Sequence, residues 1–337
     1  MKPAKHNRQS SGMEQMFQFA RPIDLLTVLV HLTLITTGAF IALFLTNLHE
    51  EKKKNEKEVV MLEQLHQNLM VDQQGLQSLV QYRKGLIRDS RAVKKFLVLQ
   101  LPWNDSISNL IFHISGTNLF FPHIGTFESL KSTGIDLIQN PDIRFGLFST
   151  YEENIKSLHA TESNYAELLN HFWIPLISDH LMLDSSLAFL TPVDFESVKK
   201  NTRILNMVSV IAIENDGLLT QTMHSLVDMS ILLKQIEFEL ERIKSGNRND
   251  IAPRKTRMVL KGYRDAKVVT VAGTFNQWEP NADSMVRSNN GWNLDLLLEP
   301  GWYMYRFTVD GVWIDDPGNT ETVLNEFHSY NSFLKVE

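Results

Sequence analysis

From Leu25 to Leu48 the sequence reads LLTVLVHLTLITTGAFIALFLTNL, 24 residues without a Lys, Arg, Asp or Glu. As a helix rising 1.5 Å per residue this run is about 36 Å long, enough to cross a hydrocarbon core of about 30 Å with some tilt. The buried helix of a water-soluble domain rarely stays uncharged on every face for that length. A cleaved signal peptide has a shorter apolar region, and no convincing A-x-A site follows this one. The run therefore reads as an uncleaved signal anchor in contact with membrane lipid. Its threonines at 27, 33, 36, 37 and 46 are expected to bond back to carbonyls of the preceding turn.

Orientation is less sharply specified. Lys2, Lys5, Arg8 and Arg21 of the tail 1–24 precede the span, and Lys52, Lys53, Lys54 and Lys57 follow it, four against four. A short basic tail before a first span is the usual signal-anchor arrangement, so the expected topology has the N-terminus in the cytoplasm and the larger C-terminal part outside.

At 337 residues the whole chain is long enough for two or three domains. It has no cysteine, which excludes disulfides, thiolate metal sites and a cysteine nucleophile. A net charge of −6 also argues against nucleic acid, whose phosphates require clustered Lys and Arg.

Residues 49–245 read as a helical bundle. Leu62, Leu65, Leu69, Leu76, Leu79 and Leu86 alternate three- and four-residue steps, with Asp72 and Arg83 in the two missing places of the same seam. A second seam runs through Leu219, Met223, Leu226, Met229, Leu233, Ile236, Leu240 and Ile243. Helical periodicity over 142–182 and 195–213 is expected to break at Pro175 and Pro192, and Thr126 is expected to cap a short helix that Gly134 closes. Helices with one apolar stripe each bury it most economically in an antiparallel bundle; the alternative is a homodimer formed as a parallel coiled coil through either seam. Glu63 and His66 form an E-x-x-H pair, half of a di-iron carboxylate site, but no second copy exists, so no metal or cofactor is expected.

Two stretches of this half, ALFLTNLHEEKKKNEKE and TFESLKSTGIDLIQNPDIRFGLFSTYEENI, give residues 20–185 a resemblance to a bacterial family of single-span membrane proteins of unknown function. The resemblance implies a shared membrane-anchored helical fold and no activity; with the orientation expected from the basic tail, the location would be a bacterial inner membrane with the C-terminal domains in the periplasm.

After the linker 246–253 the pattern changes to a period of two. The 84 residues 254–337 hold four of the six tryptophans, with Asn290-Gly291, Pro300-Gly301 and Asp310-Gly311 as turns between short strands. These are marks of a small β-sandwich, so the expected fold class is a multidomain α + β chain: transmembrane helix, helical bundle, immunoglobulin-like sandwich.

The motifs VVTVAGTFNQWEP, NNGWNLDLLLEPGWYMYRFTVDGVWIDDP and FHSYNSFLKV make 255–337 similar to the glycogen-binding domain of the AMP-activated protein kinase beta subunit, an early-set sandwich of carbohydrate-binding module family forty-eight. The resemblance implies an α-glucan site at Trp278, Arg306, Trp313 and Asn331, with Phe327 near the residue that projects into the sugar and Ser329 in place of a threonine. Arg306 stands where the family has lysine. In branching and debranching enzymes a catalytic barrel follows this module, whereas here the sandwich runs to Glu337, so no enzyme is expected.

The chemistry of these residues agrees. A pyranose offers a patch of C–H groups and a rim of hydroxyls, which call for flat apolar platforms and a few directed hydrogen bonds. Alternation along 302–309 puts Trp302, Met304, Arg306 and Thr308 on the face opposite the core, with Arg306 exposed there and Trp302 either a third aromatic surface or shielded by the helical domain. Trp292 reads as structural. One shallow module implies weak binding, about micromolar to millimolar. The chain is thus expected to be a non-catalytic, membrane-anchored binder of glycogen or maltodextrin-like polysaccharide; the alternative is a scaffold whose sandwich makes protein contacts and has lost sugar affinity.

Overall fold

Helix α1 (Leu25–Val98) is 74 residues long in the computed structural model, which describes residues 25–183, 190–248, 250–325, 327 and 329–337. The basic tail 1–24 and the side chain of Thr27 lie outside the described residues. Contacts divide the chain into residues 1–56 and 57–337. In the first unit the helix is long and apolar enough from Val28 onward to cross a membrane, and none of its most apolar stretch is buried within the protein. Thr33, Thr36, Thr37 and Thr46 donate to carbonyls three or four residues back, which satisfies their hydroxyls without water.

In the second unit α1 continues into a bundle. It packs with α2 (Asp105–Ile114), α3 (Gly125–Thr133), α4 (Pro141–Phe148), α5 (Ile155–Leu168) and α6 (Ile174–Ser178). A short hairpin of β1 (Leu181–Leu183) and β2 (Leu190–Pro192) follows, then α7 (Phe195–Lys200) and the 44-residue α8 (Thr202–Ser245). The two predicted seams meet within one core: Leu62, Leu65, Leu69, Leu76 and Leu86 are fully enclosed with Met223, Met229 and Ile236. Cross-links step forward along α1 as they step backward along α8 (His66 to Glu237, Gln73 to Ser230, Arg83 to Thr222), so the two helices run antiparallel.

Asp72 and Arg83 keep the seam positions they hold in the sequence and are buried there with partners. The Asp72 carboxylate accepts from the backbone N–H of His123 at 2.9 and 3.0 Å, and Arg83 pairs with Glu162 at 2.6 Å.

Two local expectations fail. Pro175 does not break its helix, because the wide π turn Leu169–Trp173 precedes it and leaves the proline in the first turn of α6, where its missing N–H costs little. Thr126 is not an N-cap: it lies inside α3, which no side chain caps, and its hydroxyl accepts from Asn68. Gly134 does close α3, at φ 118°.

The last helix ends on left-handed Gly246. In the stretch that follows, Arg248 pairs with Glu58 and Glu239, both buried, at 2.6 Å each.

The sandwich comprises β3 (Arg254–Lys261), β4 (Val269–Gly273), β5 (Asp283–Ser284), β6 (Val286–Ser288), β7 (Gly291–Leu298), β8 (Gly301–Val309), β9 (Val312–Ile314), β10 (Thr322–Leu324) and β11 (Tyr330–Val336). One sheet has the order β10-β11-β8-β4-β5 with β9 also on β8, the other the order β3-β7-β6, and all pairs are antiparallel. Val269, Val271, Tyr305, Phe307 and Trp292 fill the space between the sheets, so Trp292 is core, as expected. Tyr303 remains at the margin, edge-on to Phe275.

On the opposite face of the larger sheet Trp302 is shielded by the helical domain, one of the two alternatives, while the expected exposure of Arg306 fails. Met304, Val323 and Phe333 form a small second core with Val227 of α8, and Trp302 is flanked there by Ile231 and by the Lys234 ammonium, 4.7 Å from its ring centroid. Alternation placed the residues on the correct face, but the helix covers it. Arg306 is consequently only 9% exposed rather than open to solvent.

Candidate functional site

The turn from β4 into a short 3-10 segment, Thr274–Asn276, presents Trp278. Asn276 organises it: its side chain accepts from the Gly273 N–H at 2.8 Å and donates to the Val271 carbonyl and to Asp283. Gln277 and Trp278 then take left-handed conformations, φ 56° and 61°, a cost that the Trp278 N–H bond to the Gly273 carbonyl (2.8 Å) helps to offset. Gly273 has to be glycine, since a Cβ there would lie 2.2 Å from the Met304 carbonyl oxygen. The motif G-T-F-N-Q-W is thus a device for aiming one indole across the sheet edge.

Trp313 comes from β9, directly opposite Thr308 of β8. Its ring lies 6.4 Å from that of Trp278 at 51°, so the two indoles form an angled apolar floor. The Arg306 guanidinium lies 5.8 Å from the Trp313 centroid, donates to Ser329 Oγ at 2.8 Å and pairs with Asp315 at 2.9 Å. Among the described residues its Nε is buried without a hydrogen-bond partner, the kind of donor that a water or ligand oxygen commonly satisfies.

Asn331, on β11, accepts from Asn325 at 2.8 Å, while its own amide reaches only the Met304 sulfur at 4.0 Å. The Asn325 side chain also accepts from the backbone N–H groups of Phe327 and Ser329. Those bonds tie the loop between β10 and β11 and leave the Phe327 ring standing out, 76% exposed. Tyr305, behind this face, has its phenol pushed well above its ordinary range by burial and by the adjacent Asp316 carboxylate, so it acts as a donor at 2.5 Å.

All six predicted residues are therefore brought together. Trp278, Arg306, Trp313, Phe327 and Asn331 line one cleft of about 760 Å³, and Ser329 is bonded to Arg306 beside it. Sequence reasoning missed Asn325, although an asparagine just before a tight loop is a signal for this kind of side-chain cap. It also missed the second wall, which α8 supplies through His224, Val227, Asp228 and Ile231. The site is a walled cleft rather than a shallow face. No cluster of His, Asp and Glu suited to a metal ion occurs among the described residues.

Residues 256–337 match the family described as the glycogen recognition site of AMP-activated protein kinase. Over 90 residues the chain is 32% identical to the human 5'-AMP-activated protein kinase subunit beta-1, covering 26% of this chain and 32% of the relative. Over 79 residues it is 29% identical to the mouse subunit beta-2, covering 23% of this chain and 28% of the relative. The chain thus spans about a third of the length of the curated relatives it matches. The C-terminal region carries the glycogen-recognition domain, a carbohydrate-binding module and a non-catalytic type of domain, while the likeness leaves the helical two thirds of the chain outside it.

Proposed function

We propose that this protein is a non-catalytic, membrane-anchored α-glucan-binding protein that tethers or senses glycogen-like or maltodextrin-like polysaccharide. The observation that carries the reading is the convergence of Trp278, Trp313, Arg306 and Asn331 on one cleft within the region that matches a glycogen-recognition domain. The indoles offer platforms for the C–H faces of glucose, Arg306 donates to hydroxyls, and Asn331 has an amide with spare donor capacity. Within this proposal 25–48 is the membrane span, 49–245 the helical bundle, 246–253 the linker and 254–337 the binding module. The resemblance of 20–185 to single-span bacterial proteins supports a place in a bacterial inner membrane, and the short basic tail before the span supports a periplasmic module. A phosphatase fused after Glu337 is then active; an expressed but inactive fusion reverses the orientation.

The full chain in detergent is expected to be retained on amylose or glycogen resin and released by maltoheptaose, with retention lost in Trp278→Ala and Trp313→Ala. No retention of the wild-type chain, or retention that survives both substitutions, overturns the reading. In that event the covering of the sheet by α8 favours the second reading, a scaffold in which this face serves to dock the sandwich on the bundle.

A further inference from the structure

We infer that α8 of the helical domain supplies half of the glucan site, with His224 and Asp228 as sugar-contacting, specificity-determining residues; this rests on the glucan-binding reading above. The sandwich wall of the cleft carries the indoles of Trp278 and Trp313, the Arg306 guanidinium, the Asn325 and Asn331 amides, Met304 and Phe327. Facing it, α8 places His224, Val227, Asp228 and Ile231 at helical spacing, so that one face of the helix looks into the cleft. Val227 and Ile231 pack with Trp278, Met304 and Trp302 in the small core that fixes the distance between the walls. His224 is exposed and makes no hydrogen bond among the described residues. Asp228 accepts from Asn154 at 2.6 Å, a bond that orients the group.

The two walls are chemically complementary. Arg306 and the Asn331 amide chiefly donate, whereas a carboxylate only accepts and an imidazole can do either. A glucose ring carries hydroxyls around its whole rim. A sugar stacked on Trp278 and Trp313 therefore has its near edge served by the sandwich and its far edge directed at α8. An open sheet would leave that second edge in water. The cleft, at about 760 Å³, is within the range of small-ligand sites that enclose most of the molecule they bind. The ligand class that follows is a single linear α-glucan segment held between two walls, and the binding unit is the sandwich together with α8.

The test uses the full chain in detergent, with maltoheptaose titrated calorimetrically against wild type, His224→Ala, Asp228→Asn, His224→Trp and Trp313→Ala. His224→Ala and Asp228→Asn are each expected to weaken binding by about three- to tenfold, with thermal melting unchanged. His224→Trp, which fills the cleft from an exposed helix position, is expected to reduce binding by at least as much. As a readout that bundle packing alone would not move, Asp228→Asn should change the ratio of affinities for maltoheptaose and its 6-deoxy analogues. Wild-type affinity in all three α8 variants, with loss in Trp313→Ala, overturns this inference and leaves the glucan reading standing. Absence of binding by the wild-type chain overturns both.

Discussion

Arg83 in the bundle and Arg306 on the sandwich are guanidinium groups withdrawn from water to similar degrees, 2% and 9% exposed, yet their surroundings differ in kind. Arg83 pairs with a carboxylate that is itself buried, donates through Nε to Thr222, and Glu162 uses its other oxygen to accept from the Phe120 N–H. Burial pulls the Arg83 pKa down and pushes the Glu162 pKa up, each opposed by the pair, which shows how much desolvation the contact has to offset. Arg306 is paired with Asp315, which remains 40% exposed, and with a hydroxyl; its Nε has no partner among the described residues, and an indole 38% exposed lies beside it. A closed charge network fixes packing. A network with unspent donors beside an accessible aromatic face is what a binding site requires.

The strongest way to break this comparison is Arg83→Ala, which leaves Glu162 buried without its counter-charge and should cost about 3–5 kcal/mol. Thermal unfolding followed by helical circular dichroism reads it. The double variant Arg83→Leu with Glu162→Leu should recover much of the loss, since an apolar pair of similar volume removes both desolvation penalties. A single variant no less stable than wild type would mean that the network is not closed.

Trp313→Ala tests the other side of the contrast. Because the ring borders the cleft, its removal should weaken maltoheptaose binding by about tenfold or more while moving stability by about 1 kcal/mol at most. A large loss of stability with unchanged affinity would make the indole a packing residue and invert the assignment.

A smaller effect is expected of Asn325→Ala. Asn325 contacts Asn331 and holds the loop carrying Phe327 and Ser329, so it acts by positioning. Affinity is expected to fall by about three- to fivefold. The readout that separates positioning from direct contact is Phe327→Ala in the same background, which should add little once the loop is untied.

Much of this was legible in the sequence. The heptad steps of Leu62 to Leu86 specified a buried seam, and Asp72 and Arg83 were visible as its polar places, since period alone locates a face. What period cannot give is the partner: neither Glu162 nor His123 is near in sequence, and only the fold brings them in. The six candidate residues came from the resemblance to the glycogen-binding domain, with alternation adding only the face on which Arg306 lies, and the fold gathers them at one cleft. The wall from α8 was not legible, because an amphipathic helix does not announce which sheet its second stripe will meet. Pro175 misled for a local reason, as a π turn is a backbone adjustment with no composition signal.

The smallest expected effect removes burial from the comparison. On the other sheet Asp295 lies opposite Arg257 in the β3–β7 register and is bonded to it at 2.7 and 2.9 Å, with Lys255 at 3.0 Å. The Arg257 hydrogen bond, followed by that of Lys255, holds the Asp295 carboxyl well below the usual carboxylate range. A depressed folded-state pKa contributes stability that is present above the unfolded value, near 4, and is lost as pH falls below it towards the folded value. The cluster is exposed and screened by solvent, so Asp295→Asn should leave neutral-pH stability nearly unchanged and flatten the decline in melting temperature below about pH 4. Raising the salt concentration should erase the wild-type difference at the same pH. If instead the substitution matched Arg83→Ala in cost, charge pairing alone would account for stability here, and the distinction between closed and open buried networks would lose its basis.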